Sequence, residues 1–434
     1  MNRDGATGGI AHGFGNDRRL VTVLAFVALF ALCSYAHDVL KTVIVEPNFG
    51  DFGNYYFNAG KLNEGVNVFT LTADEERRLR RESGLPVHPC GGPGYAPIFQ
   101  FLMGFLARLD FWSALGLWLF LNHVLLACVL AAVPFLAGRE PVAFFAAVFF
   151  AFASQPFLEN ICVGQSNLIV LFFLTAAALV TATGRSKALC GALIASALIV
   201  KPQYGLVLLL FLWRRDYRVV ASAAACYAAL RIAGVMIYGP DVEVAYWSHV
   251  FMRATLLETA NISLKGVLDK ALIGVTHGAF LSSSAHVTAA LVLLAASLRV
   301  IPRDGSDRSA VKGFALLVSL VILLAPVTYE HYLVLLFIPF VVALGGVEFR
   351  RGTAVLFVAA FGLVSLRYSL DRFPVFQSGW PALLASGKTA GVFLAWFILW
   401  RHLRDTRENS LRRVPAGADP MMSKPPFPDR ADRS

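Results

Sequence analysis

From Leu20 to Trp400 the chain alternates long apolar runs with short polar interruptions. Leu20 to Leu40 and Trp112 to Gly138 each supply the roughly 20 apolar residues that a helix needs to cross about 30 Å of hydrocarbon. Further apolar segments run at 95–109, 141–158, 163–183, 187–213, 217–238, 285–301, 311–327, 331–347, 353–369 and 383–400. In lipid each backbone polar group must be satisfied inside its own segment, so these runs are expected as helices. The pattern predicts an all-α polytopic membrane protein with about 12 transmembrane helices and both termini inside. Two sizeable extracytoplasmic loops are expected, at 41–94 and 239–283. Residues 1–17 and 408–434 read as disordered cytoplasmic ends of a transmembrane domain spanning 18–407. The first span lacks a small-residue cleavage pattern and reads as a retained anchor.

Two topologies satisfy this count. In one, 187–213 is a single helix kinked at Lys201-Pro202 and 95–109 spans the membrane. In the other, the chain turns back at Lys201-Pro202 and 95–109 is re-entrant. The choice decides which side of the bilayer holds Gly164-Gln165-Ser166-Asn167.

The loop at 41–94 carries its own short helix. Thr72 is placed to cap it, Glu75 follows three residues later, and acids in the first turn give way to bases in the last, matching the helix dipole.

Composition agrees with the hydropathy pattern. The 434 residues are 57% hydrophobic and 15% charged, with a mean hydropathy of +0.63, which excludes an ordinary soluble domain. The net charge of +10 comes from clusters between spans, such as Arg18-Arg19, Arg214-Arg215 and Arg350-Arg351. These are topology signals for the cytoplasmic side, not a face for nucleic acid. Of six cysteines, Cys90 is alone in its loop and the other five lie in or beside apolar spans. The sequence has no metal-ligand spacing, no disulfide framework and no phosphate-binding glycine loop, so no metal, cofactor or ATP-driven step is implied.

Candidate chemistry begins at Asp51, directly after the first span and beside Tyr55 and Tyr56. A carboxylate at the membrane surface can act as general base toward a hydroxyl; it can equally be a solvated loop acid or a helix cap. The two tyrosines fit either substrate stacking or an aromatic belt. Glu330 and His331 sit where two spans meet, between Tyr329 and Tyr332; they suit an anionic head group or an acceptor, or simple hydration. Gln165, Asn167, Lys201 and Gln203 interrupt apolar sequence, and Lys201 precedes a helix-disrupting proline. Such breaks line protein-enclosed or watery cavities, where a lysine holds phosphate as a point charge; snorkelling to an interface is the competing reading. Arg253 and Lys265 in the second loop are candidates to clamp a phosphate, and Asn261-Ile262-Ser263 matches a glycosylation sequon.

Taken in order, Asp51-x-x-x-Tyr55-Tyr56, Gly94-Tyr95-Ala96-Pro97, Gly164-Gln165-Ser166-Asn167, Lys201-Pro202-Gln203, Asn261-Ile262-Ser263-Leu264 and Glu330-His331-Tyr332 resemble the motifs of glycosyltransferase family 87, within the GT-C superfamily. The resemblance covers about residues 20–400. It implies a GT-C-like fold and a sugar transferase in the cell membrane, working on the outer side. The donor it implies is a polyprenyl-phosphate sugar, with mannose favoured, and the acceptor a lipid or glycan. By the same resemblance Asp51 is the base that deprotonates the acceptor, in a single displacement with inversion. His331 then lies near the donor phosphate or the acceptor. Ala96 departs from the family's Tyr-Pro-Pro pattern, and the helix at 72–82 is an insertion relative to it. A lipid flippase or small-molecule transporter is the rival class. It would call for paired repeats in the two halves, which the sequence does not display.

Overall fold

A computed structural model describes residues 18–45, 47–87, 93–138, 140–253, 260–303, 306–347, 351–367, 370 and 373–412. The described residues build helices and no strand. Helix α1 (Arg18–Ile44) leads into α2 (Gly50–Asn63), α3 (Ala73–Glu82) and α4 (Pro97–Leu106). Next come α5 (Phe111–Ala131), α6 (Pro141–Ala153), α7 (Gln155–Cys162), α8 (Asn167–Ala182) and α9 (Lys187–Val200). A 3-10 turn at Pro202–Val207 passes into α10 (Leu208–Trp213), then α11 (Tyr217–Tyr238), α12 (Pro240–Arg253), α13 (Leu264–Ala271), α14 (Gly278–Val300) and α15 (Asp307–Leu324). A second 3-10 segment, Glu330–Leu336, leads into α16 (Phe337–Gly346), and α17 (Arg351–Ser365) and α18 (Gly387–Arg412) follow. Residues 408–412, expected as tail, continue α18; the rest of that tail, residues 1–17 and Cys90 lie outside the described residues.

Among the described residues, α1, α5 with the turn that extends it to Leu136, α11 and α14 are each long and apolar enough to cross a membrane. Helices α6 and α7, bent by 50° around Ser154, make a fifth span if taken together. The other apolar helices are shorter. At 10 residues α4 is about 15 Å long, half the hydrocarbon thickness. The two 3-10 segments recover reach, since that helix rises about 2.0 Å per residue against 1.5 Å in an α-helix. Seven 3-10 residues followed by ten α residues make Glu330–Gly346 about 29 Å long.

The chain turns back at Lys201-Pro202. Lys187, opening α9, is ion-paired with Asp216, immediately before α11, and Ser222 donates to the carbonyl of Ala188 at 2.8 Å. Helices α9 and α11 therefore start at the same end of the bundle, and residues 202–213 carry the chain back to it. That end is basic: Trp213 and Arg214 donate to the carbonyls of Ile301 and Pro302, and the Arg303 guanidinium lies 4.0 Å from the Trp213 ring centroid. The opposite end holds Lys201 and, beside the last turns of α11, the start of α4, where Gly234 abuts Ile98. Of the two topologies the sequence allows, this geometry matches the turn-back with a short α4. It puts Gly164-Gln165-Ser166-Asn167 at the Asp51 end.

Helices in lipid gain little from hydrophobic burial, so close backbone approach at small residues sets the packing. A Cβ on Gly191 would fall 2.3 Å from the carbonyl oxygen of Val219, and one on Gly345 would fall 2.2 Å from Cα of Ala137. Around these contacts α15 is buried from Gly313 to Leu323, as expected for a helix apolar on all sides.

Candidate active site

Asp51 lies in the first turn of α2, whose N-cap residue, Phe49, offers no side-chain acceptor. The orphan N–H groups of Asp51 and Phe52 instead donate to the carbonyl of Val163, at 3.1 and 3.2 Å. This bond ties the head of α2 to the end of α7. Close approach is possible because the next residue, Gly164, has φ +75°, and a Cβ there would fall 2.5 Å from Cβ of Phe52. The Gly164 carbonyl accepts from the Trp118 indole at 2.9 Å, fixing the turn from a third helix.

Gln165 follows in that turn. Its Oε1 accepts from the Tyr55 hydroxyl at 2.9 Å and from the Tyr95 hydroxyl at 3.1 Å, and the two hydroxyls are 2.8 Å apart. With Oε1 so engaged, the Gln165 amide favours the ionised form of Asp51. Burial works the other way and is stronger, holding the Asp51 carboxyl above its usual range, while His331, Gln165 and Lys201 pull it down.

His331 is held by its backbone. Asn167 donates from Nδ2 both to the His331 carbonyl and to Oδ1 of Asn160, each at 3.0 Å. The imidazole is buried, and neither ring nitrogen has a hydrogen-bond partner among the described residues. Nδ1 approaches Oε1 of Glu159 to 3.5 Å, which is close but not a hydrogen bond. Lys201, 3% exposed, likewise lacks a hydrogen-bond partner, and its ammonium lies 3.3 Å from the Tyr332 ring centroid. Beside this group opens a cleft of about 430 Å³, within the range typical of small-ligand sites. Glu159, Glu330, Arg367, Lys41 and Val163 are among its walls.

The site thus collects a carboxylate, an ammonium, an imidazole and an amide from four separate parts of the chain. The family model for glycosyltransferase family 87 matches residues 94–326, just over half of the sequence. The chain belongs to glycosyltransferase family 87. A polyprenol-phosphate-mannose-dependent alpha-(1-2)-phosphatidylinositol mannoside mannosyltransferase of Mycobacterium tuberculosis (strain ATCC 25618 / H37Rv) is 26% identical over 225 residues. That match covers 51% of each protein, so the chain spans about half the length of this curated relative. Gln165, Asn167 and Lys201 fall inside the family 87 match, whereas Asp51, Glu330 and His331 fall outside it and join the site through the contacts above.

The other residues singled out in the sequence are distributed differently. Tyr55 is 1% exposed and packs edge-on against Tyr95, Phe99 and Trp118, so it positions Gln165 and offers no open face for stacking. Tyr56 points elsewhere, donating to the carbonyl of Leu109 at 2.6 Å. Asn261 is a strut: Nδ2 donates to the Pro326 carbonyl at 2.8 Å, and Oδ1 accepts from the N–H groups of Thr328 and Ser263. It braces the loop that leads into Glu330 and His331, and its buried amide is closed to glycosylation. Lys265 is ion-paired with Asp269, which also accepts from Ser282. Glu330 is ion-paired with Lys388. Arg253 ends α12, and its side chain lies outside the described residues.

Glu159, Lys388 and Arg367 were not singled out from sequence. An acid one residue past the apolar run 141–158 was the available signal for Glu159, since charge at a span end is costly unless it is wet, paired or functional. Helix α3 has the reciprocal cap expected of Thr72 and Glu75: Oγ1 accepts from the Glu75 N–H at 3.3 Å, and Oε2 accepts from the Thr72 N–H at 2.9 Å.

Proposed function

We propose that this family 87 chain transfers a sugar, mannose favoured, from a polyprenyl-phosphate carrier to a lipid or glycan acceptor at the extracytoplasmic face of the cell membrane. The proposal includes a GT-C-like arrangement of about 12 membrane segments, counting the short and broken ones. The basic end of the bundle is taken as cytoplasmic by the positive-inside rule, which turns the Asp51 end outward. The relative's dependence on polyprenol-phosphate-mannose supports the donor class.

One observation carries the reading. Asp51, half-buried and anchored by the Val163 carbonyl, lies in the field of Lys201, whose buried Nζ has no hydrogen-bond partner among the described residues. A base and a lysine within its electrostatic reach suit a displacement in which a proton leaves the nucleophile as an anion departs. The acceptor oxygen forms a bond to the sugar C1 while the bond from C1 to the phosphate oxygen breaks, inverting that carbon. The electron pair leaves on the lipid phosphate, and Asp51 takes the hydroxyl proton. Positioned proton transfer contributes typically 10² to 10⁴ in rate, and a preorganised cation facing a developing anion adds about 3 kcal/mol.

The test is transfer of radiolabel from polyprenyl-phosphate mannose in membranes carrying the full chain. Transfer that Asp51→Asn abolishes, with protein level and donor binding unchanged, supports the reading. Movement of donor across the bilayer without bond exchange would replace it with the transporter class.

A further inference from the structure

The 430 Å³ cleft beside the candidate site is walled by polar groups that the proposed displacement leaves unused. It opens at the Asp51 end of the bundle, between the last turns of α1, helix α7, Glu330 and Arg367. Two backbone links set it against Asp51. Asn48, three residues ahead of Asp51, lines the cleft, and so does Val163, whose carbonyl accepts from the Asp51 N–H at 3.1 Å. The cleft therefore reaches to within one helical turn of the proposed base, which is half-buried at the head of α2.

The walls are held in place. Thr42 of α1 and Cys162 of α7 meet with Oγ1 3.2 Å from Sγ. Lys388, buried behind the wall, is ion-paired with Glu330 and donates to the Leu366 carbonyl at 3.3 Å, which fixes that acid beside the chain end bearing Arg367. The charges balance: among the described wall residues Asp38, Glu159 and Glu330 stand with Lys41 and Arg367, and Lys388 offsets the third acid. A phosphate dianion gains no net attraction from such a set, and an alkyl chain would strip water from its charged groups without replacing their hydrogen bonds. A sugar ring suits it, because each hydroxyl can donate to a carboxylate and accept from an ammonium, a guanidinium or the amides of Asn48 and Gln155.

We infer that this cleft seats a neutral sugar unit of the acceptor, with Glu159 and Arg367 recognising its hydroxyls and presenting one of them toward Asp51. This seat rests on the transferase reading and makes the recognised part of the acceptor a glycan, not an apolar chain. It also divides the site. The acceptor enters from the side of α1 and α7, and the donor phosphate is left to Lys201, whose Nζ has no hydrogen-bond partner among the described residues and lies against the Tyr332 ring.

The test has two arms, both on the full chain in lipid nanodiscs. In the first, saturation-transfer NMR reads the binding of methyl disaccharides of mannose, glucose and galactose, with inorganic phosphate as competitor. At least one disaccharide should bind and resist displacement by phosphate, and Glu159→Gln and Arg367→Met should each weaken it about tenfold, the loss of one hydrogen bond to a charged group. Arg367 is exposed, so its variant should fold even where Glu159→Gln does not. In the second arm, transfer of radiolabel from polyprenyl-phosphate mannose to an acceptor-containing membrane extract should show KM for the acceptor raised about tenfold in both variants, with KM for the donor unchanged. A merely structural role would move both KM values and the melting midpoint together. That result, binding of no disaccharide, or displacement by phosphate, which would make the cleft an anion seat, overturns the inference. Disaccharide binding that the variants weaken, in a chain that transfers no label, would leave the sugar seat standing and remove the transferase reading; transfer that neither variant alters would remove the seat alone.

Discussion

The ammonium of Lys201 lies 3.3 Å from the centroid of the Tyr332 ring and has no hydrogen-bond partner among the described residues. A desolvated cation–π contact is worth about 2 kcal/mol, less than the several kcal/mol an ammonium loses on leaving water. The field of Asp51 offsets only part of the remainder, and in the proposed reaction the donor phosphate supplies the rest.

Replacing this cation without changing the shape of its site tests that role. Lys201→Met should lower kcat/KM for the polyprenyl-phosphate donor by 10² to 10³, about the effect of removing one preorganised charge contact, while the thermal midpoint stays level or rises. Donor titration in the transfer assay, beside a melting curve in detergent, reads both.

Asp51 should trade stability for function. Folding raises its pKa above the ordinary 3.8, chiefly through burial, so folding favours the neutral form. The ionised carboxylate is therefore a destabilising element at pH 7, and if it serves as the proposed base, transfer should increase as pH rises through the raised pKa. Asp51→Asn should abolish transfer yet raise the melting midpoint at pH 7. That gain should shrink as pH falls through the raised pKa and vanish below 3.8, where folded and unfolded chains both carry the proton. Melting curves across this range check the sign.

Asn261→Ala should loosen the loop that delivers His331. The change strips partners from the Pro326 carbonyl and the Thr328 and Ser263 N–H groups, each costing roughly 1–3 kcal/mol if left buried and unpaired. A midpoint lower by several degrees, together with reduced kcat, is expected. Intact-mass measurement of chain produced in a glycosylating host should find no glycan at Asn261.

Gly164→Ala should act on catalysis more than on assembly. A non-glycine residue in the left-handed region costs roughly 1–2 kcal/mol, and the new methyl would collide with Phe52, the neighbour of Asp51. Displacing α2 to relieve that contact moves Asp51, so a loss of transfer greater than tenfold is expected with the protein still inserted and folded. Transfer rate per unit of monodisperse protein is the measurement.

Much of this protein was legible along the chain because the governing interactions are local. Apolar runs set by the thickness of lipid marked the helices, basic clusters marked one end of the bundle, and the Thr72–Glu75 cap closes within one turn. The motifs around Asp51, Gln165, Lys201 and His331 marked the family and named the residues of the candidate site. Their arrangement was decided elsewhere. Whether the chain turns back at Lys201 depends on Lys187 meeting Asp216, and whether His331 is held depends on Asn167, 164 residues away in sequence. Tyr55 and Asn261 became struts, and Glu159 became a neighbour of the imidazole, because partners from distant segments fixed where their polar atoms point. A hydrogen bond inside one turn can be read from spacing; one between helices exists only once packing has brought its two ends together.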